Sequence, residues 1–139
     1  MTTTLIDREQ LVAAARTVRE HAYAPYSHYH VGAAVQVADR RIFTGVNVEN
    51  AVYPLTICAE RAAIFTAVSS GARQIVAAAV VTPNGGTPCG SCRQVLREFG
   101  TPEMPVLIAR PEGDYRELTL GELLPESFSA QDLAVAQQL

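Results

Sequence analysis

Three cysteines place the tightest constraint on how this 139-residue chain can fold. One lies in Cys58-Ala59-Glu60 and two lie in Pro88-Cys89-Gly90-Ser91-Cys92. Each segment opens a stretch of helical character. CAERAAIFTAVSSG ends at Gly71, a residue suited to a left-handed cap, and GSCRQVLREFG ends at Gly100. Between them IVAAAVV is a short continuous apolar run followed by turn residues, the pattern of a strand buried on both faces. Both cysteine-bearing helices therefore follow extended segments, and their N-termini are expected at one edge of a sheet. A helix N-terminus carries positive partial charge and lowers a thiol pKa, which makes each cysteine a better metal ligand.

A CGSC pair alone is compatible with a redox disulfide, but that reading leaves Cys58 unexplained and gives Glu60 nothing to do. Cys92 lies three residues beyond Cys89, on the same helical face one turn in. Three protein ligands plus a water is the open pattern of a catalytic zinc, whereas structural sites usually close with four protein ligands. A His or Cys two residues before a Glu, followed by P-C-x-x-C, is the signature of the zinc deaminases, in which the Glu is a general acid and base and not a ligand. Here 27 residues separate Glu60 from Pro88, room for a helix, a strand and a turn. Inside a helix, residues i and i+2 point nearly opposite ways. Cys58 is therefore expected at the helix start, where Glu60 can still reach a water on the metal. A closed structural zinc would need a fourth ligand, for which His28 or His30 is the candidate.

The rest of the chain reads as an α/β layered domain. Asp7 followed by Gln10 resembles a capping box, and Leu11, Ala15, Val18 and Ala22 mark one face of a first helix that stops before Pro25. VGAAVQV alternates at Val31, Ala33, Val35 and Val37 as a half-buried strand would, and ADRR turns the chain into a second strand, RIFTGVNV. MPVLIA is another buried strand, YRELTL a shorter one, and a last helix starts near Ser129. No repeat, low-complexity tract or linker divides the chain, so residues 1–139 read as one domain.

Composition narrows the function. Net charge is −3 and no Lys or Arg run exceeds two residues, so the basic surface that nucleic-acid binding draws on is missing. No stretch approaches the roughly 20 apolar residues of a membrane span. MTTTLIDREQ has no apolar core of signal-peptide length, and an odd number of cysteines points to a reducing cytoplasm. The substrate is expected to be a small molecule.

YAPYSHYHVGAAV, GVNVENAVY, CAERAAIF, PCGSCRQVL and LLPESF, in this order along nearly the whole chain, resemble the motifs of the small nucleoside cytidine deaminases. The resemblance implies a three-layer fold, a mixed five-stranded sheet with helices on both faces, assembled as a homotetramer. It implies hydrolytic deamination of cytidine or deoxycytidine to uridine or deoxyuridine plus ammonia, part of pyrimidine salvage. One Zn²⁺ per chain is held by Cys58, Cys89 and Cys92, with Glu60 carrying protons to and from a zinc-activated water.

By the same similarity Asn47 and Glu49 bind the sugar hydroxyls, Ala59 is among the substrate contacts, and Tyr29 stands where relatives usually carry a Phe beside the pyrimidine. Phe128 matches an aromatic that reaches the active site of a neighbouring subunit. Asn47 and Glu49 also face the same way in an extended segment. The Tyr29 phenol keeps the flat face but adds a hydroxyl that needs a partner. Arg61 is expected to donate hydrogen bonds to the sulfurs, restoring Lewis acidity to a zinc that three thiolates leave at net charge −1. Arg93 is the other nearby candidate for that role, though an Arg on a helix surface is more often simply solvated; Pro54 stands where relatives often have Gly. The nearest rival is a deaminase of blasticidin S, which shares the zinc motifs; NVEN and CAER favour the nucleoside enzyme. A non-catalytic domain with a closed zinc is the rival of another class.

Overall fold

A computed structural model of the protein describes residues 4–138. Helix α1 (Arg8–Val18) runs on into a 3-10 turn at Arg19–His21 and is followed by strands β1 (Gly32–Val37) and β2 (Ile42–Val46). A second 3-10 turn, Tyr53–Leu55, leads to α2 (Ala59–Ser69), β3 (Ile75–Val81), α3 (Gly90–Phe99) and β4 (Pro105–Ala109). Strand β5 (Arg116–Thr119), a short α4 (Leu120–Leu123) and α5 (Ala130–Gln137) complete the order. The five strands form one mixed sheet in the order β2-β1-β3-β4-β5; only β3 and β4 are parallel.

The alternation of each strand delivers two cores. Ala33, Val35, Val37, Ala78 and Val80 meet Ala59, Ala63, Ile64 and Ala67 of α2 and Leu96 of α3 on one face. Ala34, Ala77, Ala79 and Leu107 meet Leu11, Val12 and Ala15 of α1 on the other. Helices thus cover both faces, as the sequence predicts. Strand β1 differs from its expectation, because it is buried along its whole length and not on one face. It lies between two partners, and its even positions receive α1. Gln36 looks like a solvent-facing residue in the pattern, yet it is fully buried. Its Oε1 accepts from the Asp7 N–H at 3.0 Å and its Nε2 donates to the Leu5 carbonyl at 2.8 Å, which removes the cost of burying an amide.

The expected capping box at Asp7 does not form. Asp7 is the N-cap of α1, but its carboxylate is taken by Arg40 Nη2 at 2.8 Å and caps nothing. A true capping box occurs instead at Thr119 and Glu122, opening the α4 turn that the sequence reading omits. Gly71 has φ +98 and follows the end of α2 as expected, with the Ala72 N–H returning to the Ala67 carbonyl at 3.1 Å.

The chain direction decides where the helices begin. Helix α2 turns straight into β3, and α3 carries the chain from the end of β3 back to the start of β4, which runs parallel to β3. Both helices therefore run against β3, and both N-termini stand at its C-terminal edge. That edge is where open α/β sheets place their ligands. Helix α2 also lies unusually close to the sheet. A Cβ built on Gly45 would stand 2.4 Å from the Ala63 nitrogen and 2.7 Å from the Ala59 carbonyl oxygen, both backbone atoms. Gly45→Ala is expected to push α2 off β2 and to cost about 1–3 kcal/mol in urea unfolding, the range for an overpacked core. An unchanged unfolding midpoint would show that the helix has room to move.

Candidate active site

Cys58 and Cys89 are the N-cap residues of α2 and α3, with extended backbones at φ −77, ψ 152 and φ −66, ψ 166. Neither sulfur caps its own helix, so both thiols remain available. Cys92 sits one turn into α3 and is fully buried. The three Sγ atoms lie within 4.8 Å of one another, with Cys58–Cys89 at 3.9 Å and Cys89–Cys92 at 3.5 Å. Tetrahedral zinc with Zn–S bonds of about 2.3 Å requires sulfurs about 3.8 Å apart, so this set already has the spacing of three corners around one ion. Among the described residues the cluster contains these three side chains alone; neither His28 nor His30 belongs to it. His30 Nδ1 is 3.1 Å from the His28 carbonyl oxygen. The donor chemistry and spacing fit zinc with an open position and give the closed, four-ligand reading no support.

Electrostatics agree with the division of labour. The Cys58 thiol is pulled down to about 5, first by its hydrogen bond with Cys92 and then by the Arg61 guanidinium. Cys92 is pushed up by the same bond and by burial. Arg61 Nη2 donates to Cys58 Sγ at 3.4 Å, the contact expected of it, while its buried Nε has no hydrogen-bond partner. Glu60 is buried at 7% exposure and belongs to the first turn of α2. Burial raises its pKa to about 7, and the neighbouring Cys58 thiolate pushes the same way. A carboxyl balanced near neutrality both takes and returns a proton with little driving force wasted.

The sugar-contact candidates stand in a short three-stranded ribbon. Tyr23 N–H donates to the Asn47 carbonyl at 2.9 Å, Glu49 N–H to the Tyr23 carbonyl at 2.9 Å, and Val48 and Ile57 exchange bonds at 3.0 and 3.1 Å. Pairing with Ile57 puts the segment 47–49 beside Cys58. Asn47 is buried, its Nδ2 donating to the Tyr29 carbonyl at 2.7 Å and its Oδ1 accepting from Val31 N–H at 3.0 Å. Glu49 Oε1 accepts from the Tyr26 and Ser27 N–H groups at 2.9 and 3.1 Å, and Oε2 from the Ser27 hydroxyl. The Ser27 hydroxyl, together with the Tyr26 and Ser27 N–H groups, holds its pKa below the usual carboxylate range. A carboxylate accepts about four hydrogen bonds, so roughly one site is left for a ligand. Glu49 lines a cavity of about 370 Å³ with Tyr26, Ser27, Tyr53 and Thr56.

Ala59, the first residue of α2, is fully buried, backbone included. Tyr29 is about a third exposed, and its hydroxyl donates to Asn84 Oδ1 at 2.6 Å, the partner the phenol was expected to need. Phe128 is exposed at 58%, with its carbonyl held by Gln94 Nε2 at 2.9 Å. His21 is exposed in its 3-10 turn, and Pro54 occupies the turn Tyr53–Leu55.

Arg93 corrects its expectation. It is not a solvated helix residue, because Nε donates to the Pro88 carbonyl at 2.6 Å, Nη2 to Thr87 Oγ1 at 2.8 Å and Nη1 to the Leu123 carbonyl at 2.6 Å. The guanidinium thereby pins the approach to Cys89 and the start of the C-terminal segment at once. The contacts of Ser27 with Glu49 and of Asn84 with Tyr29 are not legible in the sequence, because the partners lie 22 and 55 positions apart.

Three thiols at the starts of two helices, with a buried carboxyl close by, give this α/β chain the donor set and spacing of a zinc site. The family model described as the cytidine and deoxycytidylate deaminase zinc-binding region matches residues 5–108, and the chain belongs to that family. A cytidine deaminase of Sporosarcina psychrophila is 47% identical over 135 residues, covering 96% of this chain and 99% of its own length. One of Mycobacterium tuberculosis strain H37Rv is 44% identical over 130 residues, covering 92% and 94%. The crystal structure of cytidine deaminase from Burkholderia pseudomallei matches with a TM-score of 0.83 at 46% identity, over 88% of this chain and 100% of that one. The chain thus carries the zinc-binding region of a hydrolytic deaminase family, and its three cysteines fit the ion. No helix among the described residues is long and apolar enough to cross a membrane.

Proposed function

We propose that this chain removes the 4-amino group of cytidine and deoxycytidine by hydrolysis, giving uridine or deoxyuridine and ammonia, with residues 1–139 acting as one catalytic domain. The observation that carries this reading is the meeting of three sulfurs beside a buried carboxyl. Zinc, when bound, lowers the pKa of a coordinated water from about 15.7 toward roughly 7. Cys58, Cys89 and Cys92 hold it, and Arg61 draws charge from the Cys58 sulfur. Glu60 takes a proton from the attacking water and delivers it to N3 of the pyrimidine; it then takes the second proton, from the hydroxyl now on C4, and passes it to the amine, which leaves as ammonia while C4 becomes a carbonyl. Asn47 and Glu49 bind the sugar hydroxyls, Ala59 is among the substrate contacts, and the Tyr29 ring lies beside the base.

The enzyme works in the cytoplasm as a homotetramer in which Phe128 stacks on the base in a neighbouring subunit's site. Support comes from the apolar side chains left exposed on the single chain, Val52, Tyr53, Leu55, Phe65 and Phe128, each at 45% or more. Sedimentation equilibrium returning the mass of one chain would remove this part of the reading.

The test of function is a substrate panel. The purified protein with zinc is expected to turn over cytidine and deoxycytidine, to act poorly on blasticidin S, and to bind oligonucleotide negligibly. The Glu49 sugar contact has no use on a ligand without ribose, so faster turnover of blasticidin S than of cytidine would assign the chain to the rival chemistry.

A further inference from the structure

The Tyr29 backbone is fixed on both sides. Its N–H donates to Ser27 Oγ at 3.0 Å and its carbonyl accepts from Asn47 Nδ2 at 2.7 Å. What remains free is the ring, about a third exposed and swung across to the loop between β3 and α3. There its hydroxyl meets Asn84 Oδ1 at 2.6 Å, an acceptor that also lies 3.5 Å from Thr82 Oγ1. The loop is itself closed by the Gly86 N–H donating to Thr82 Oγ1 at 2.6 Å. A Cβ on Gly86 would come within 2.6 Å of the Tyr29 hydroxyl, so the loop has no side chain where the phenol crosses it. Two residues beyond Gly86 the same loop reaches Pro88 and Cys89.

We infer that Asn84 is a positioning residue for substrate binding: by holding the Tyr29 hydroxyl it sets the angle of the ring against the pyrimidine and ties that ring to the loop that delivers Cys89. Asn84 acts through Tyr29 and not on the reacting atoms. A Phe at position 29 would have no hydroxyl to hold, so Asn84 has this role only in company with the phenol. The inference rests on the placement of the Tyr29 ring beside the base.

A double-mutant cycle on the zinc-loaded enzyme tests it, with KM and kcat for cytidine measured separately. Asn84→Ala is expected to raise KM about fivefold, the size of one net hydrogen bond, with kcat changed by less than about twofold. Tyr29→Phe should do the same, and the double variant should be no worse than either single one. Asn84→Asp keeps an acceptor and should return KM to within about twofold of wild type, but not in the Tyr29→Phe background. Asn84 is exposed, so the variants are expected to keep the thermal midpoint of wild type. Tyr29→Ala separates the two layers of the claim: removal of a ring that contacts the base should raise KM about tenfold or more. If Tyr29→Ala leaves KM unchanged, the placement of the ring fails and the role of Asn84 with it. If Tyr29→Ala raises KM while Asn84→Ala does not, or the two single effects add, the role of Asn84 alone is overturned.

Discussion

Glu60→Gln is expected to keep one zinc per chain and to lose nearly all turnover, a fall in kcat of about 10²–10⁴-fold or more. The substitution keeps the shape of a side chain that is 7% exposed and packed in the first turn of α2. Burial already holds the native carboxyl up at about 7, so a neutral amide adds little desolvation strain of its own. What it removes is the capacity to accept and release a proton. Glutamine cannot carry one from the attacking water to N3, nor the second from the C4 hydroxyl to the departing amine. Because the residue is not among the three sulfurs, the metal should stay. The measurement is paired: zinc per chain by metal analysis, and cytidine loss by ultraviolet absorbance, on the same preparation. Wild-type turnover by the variant would disprove the proton-carrying role outright. Loss of zinc together with activity would instead place the carboxyl among the ligands.

Cys89→Ala is expected to abolish zinc retention and activity together while leaving the apo fold nearly intact. The three ligands are not equivalent for such a test. Cys92 is fully buried in α3, so removing its sulfur opens a cavity and destabilises the protein by a route unrelated to metal. Cys58 accepts a hydrogen bond from Arg61, a half-buried side chain that would lose this partner. Cys89 is exposed, and among the described residues its sulfur's hydrogen-bond partners are the other two cysteines. Its removal therefore isolates the metal's contribution. Zinc at a hundredfold excess over its dissociation constant should stabilise the wild type by about 2.7 kcal/mol. The same addition should leave the melting temperature of Cys89→Ala unmoved. A variant that still takes up zinc stoichiometrically and turns over cytidine would show that Cys89 is not a ligand.

The metal cluster was legible because its logic is local. A cysteine before each helical stretch, an apolar strand between them and a Glu two residues on leave few arrangements, and the chain direction around β3 then forces both helix starts to one edge. The elements other than α4 and the 3-10 turns followed from periodicity and turn residues, down to Gly71 closing α2. What escaped depended on partners far away in sequence. Gln36 reads as the polar face of a strand until residues 5 and 7 cover it. Asp7 has the residue type of an N-cap, yet Arg40 competes for its carboxylate and wins. Asn47 and Glu49 share a face as their spacing implies, but each also braces the segment 26–31, which no periodicity encodes. Arg93 shows the same limit, since its value as a brace exists only once Pro88 and Leu123 have come together around it.

X-ray absorption at the zinc edge of the purified, resting protein measures the central claim most directly. Three sulfur neighbours at about 2.3 Å and a single light-atom neighbour that exchanges with solvent are the expected result. A fourth sulfur or a histidine nitrogen in the shell, or fewer than three sulfurs, would contradict it.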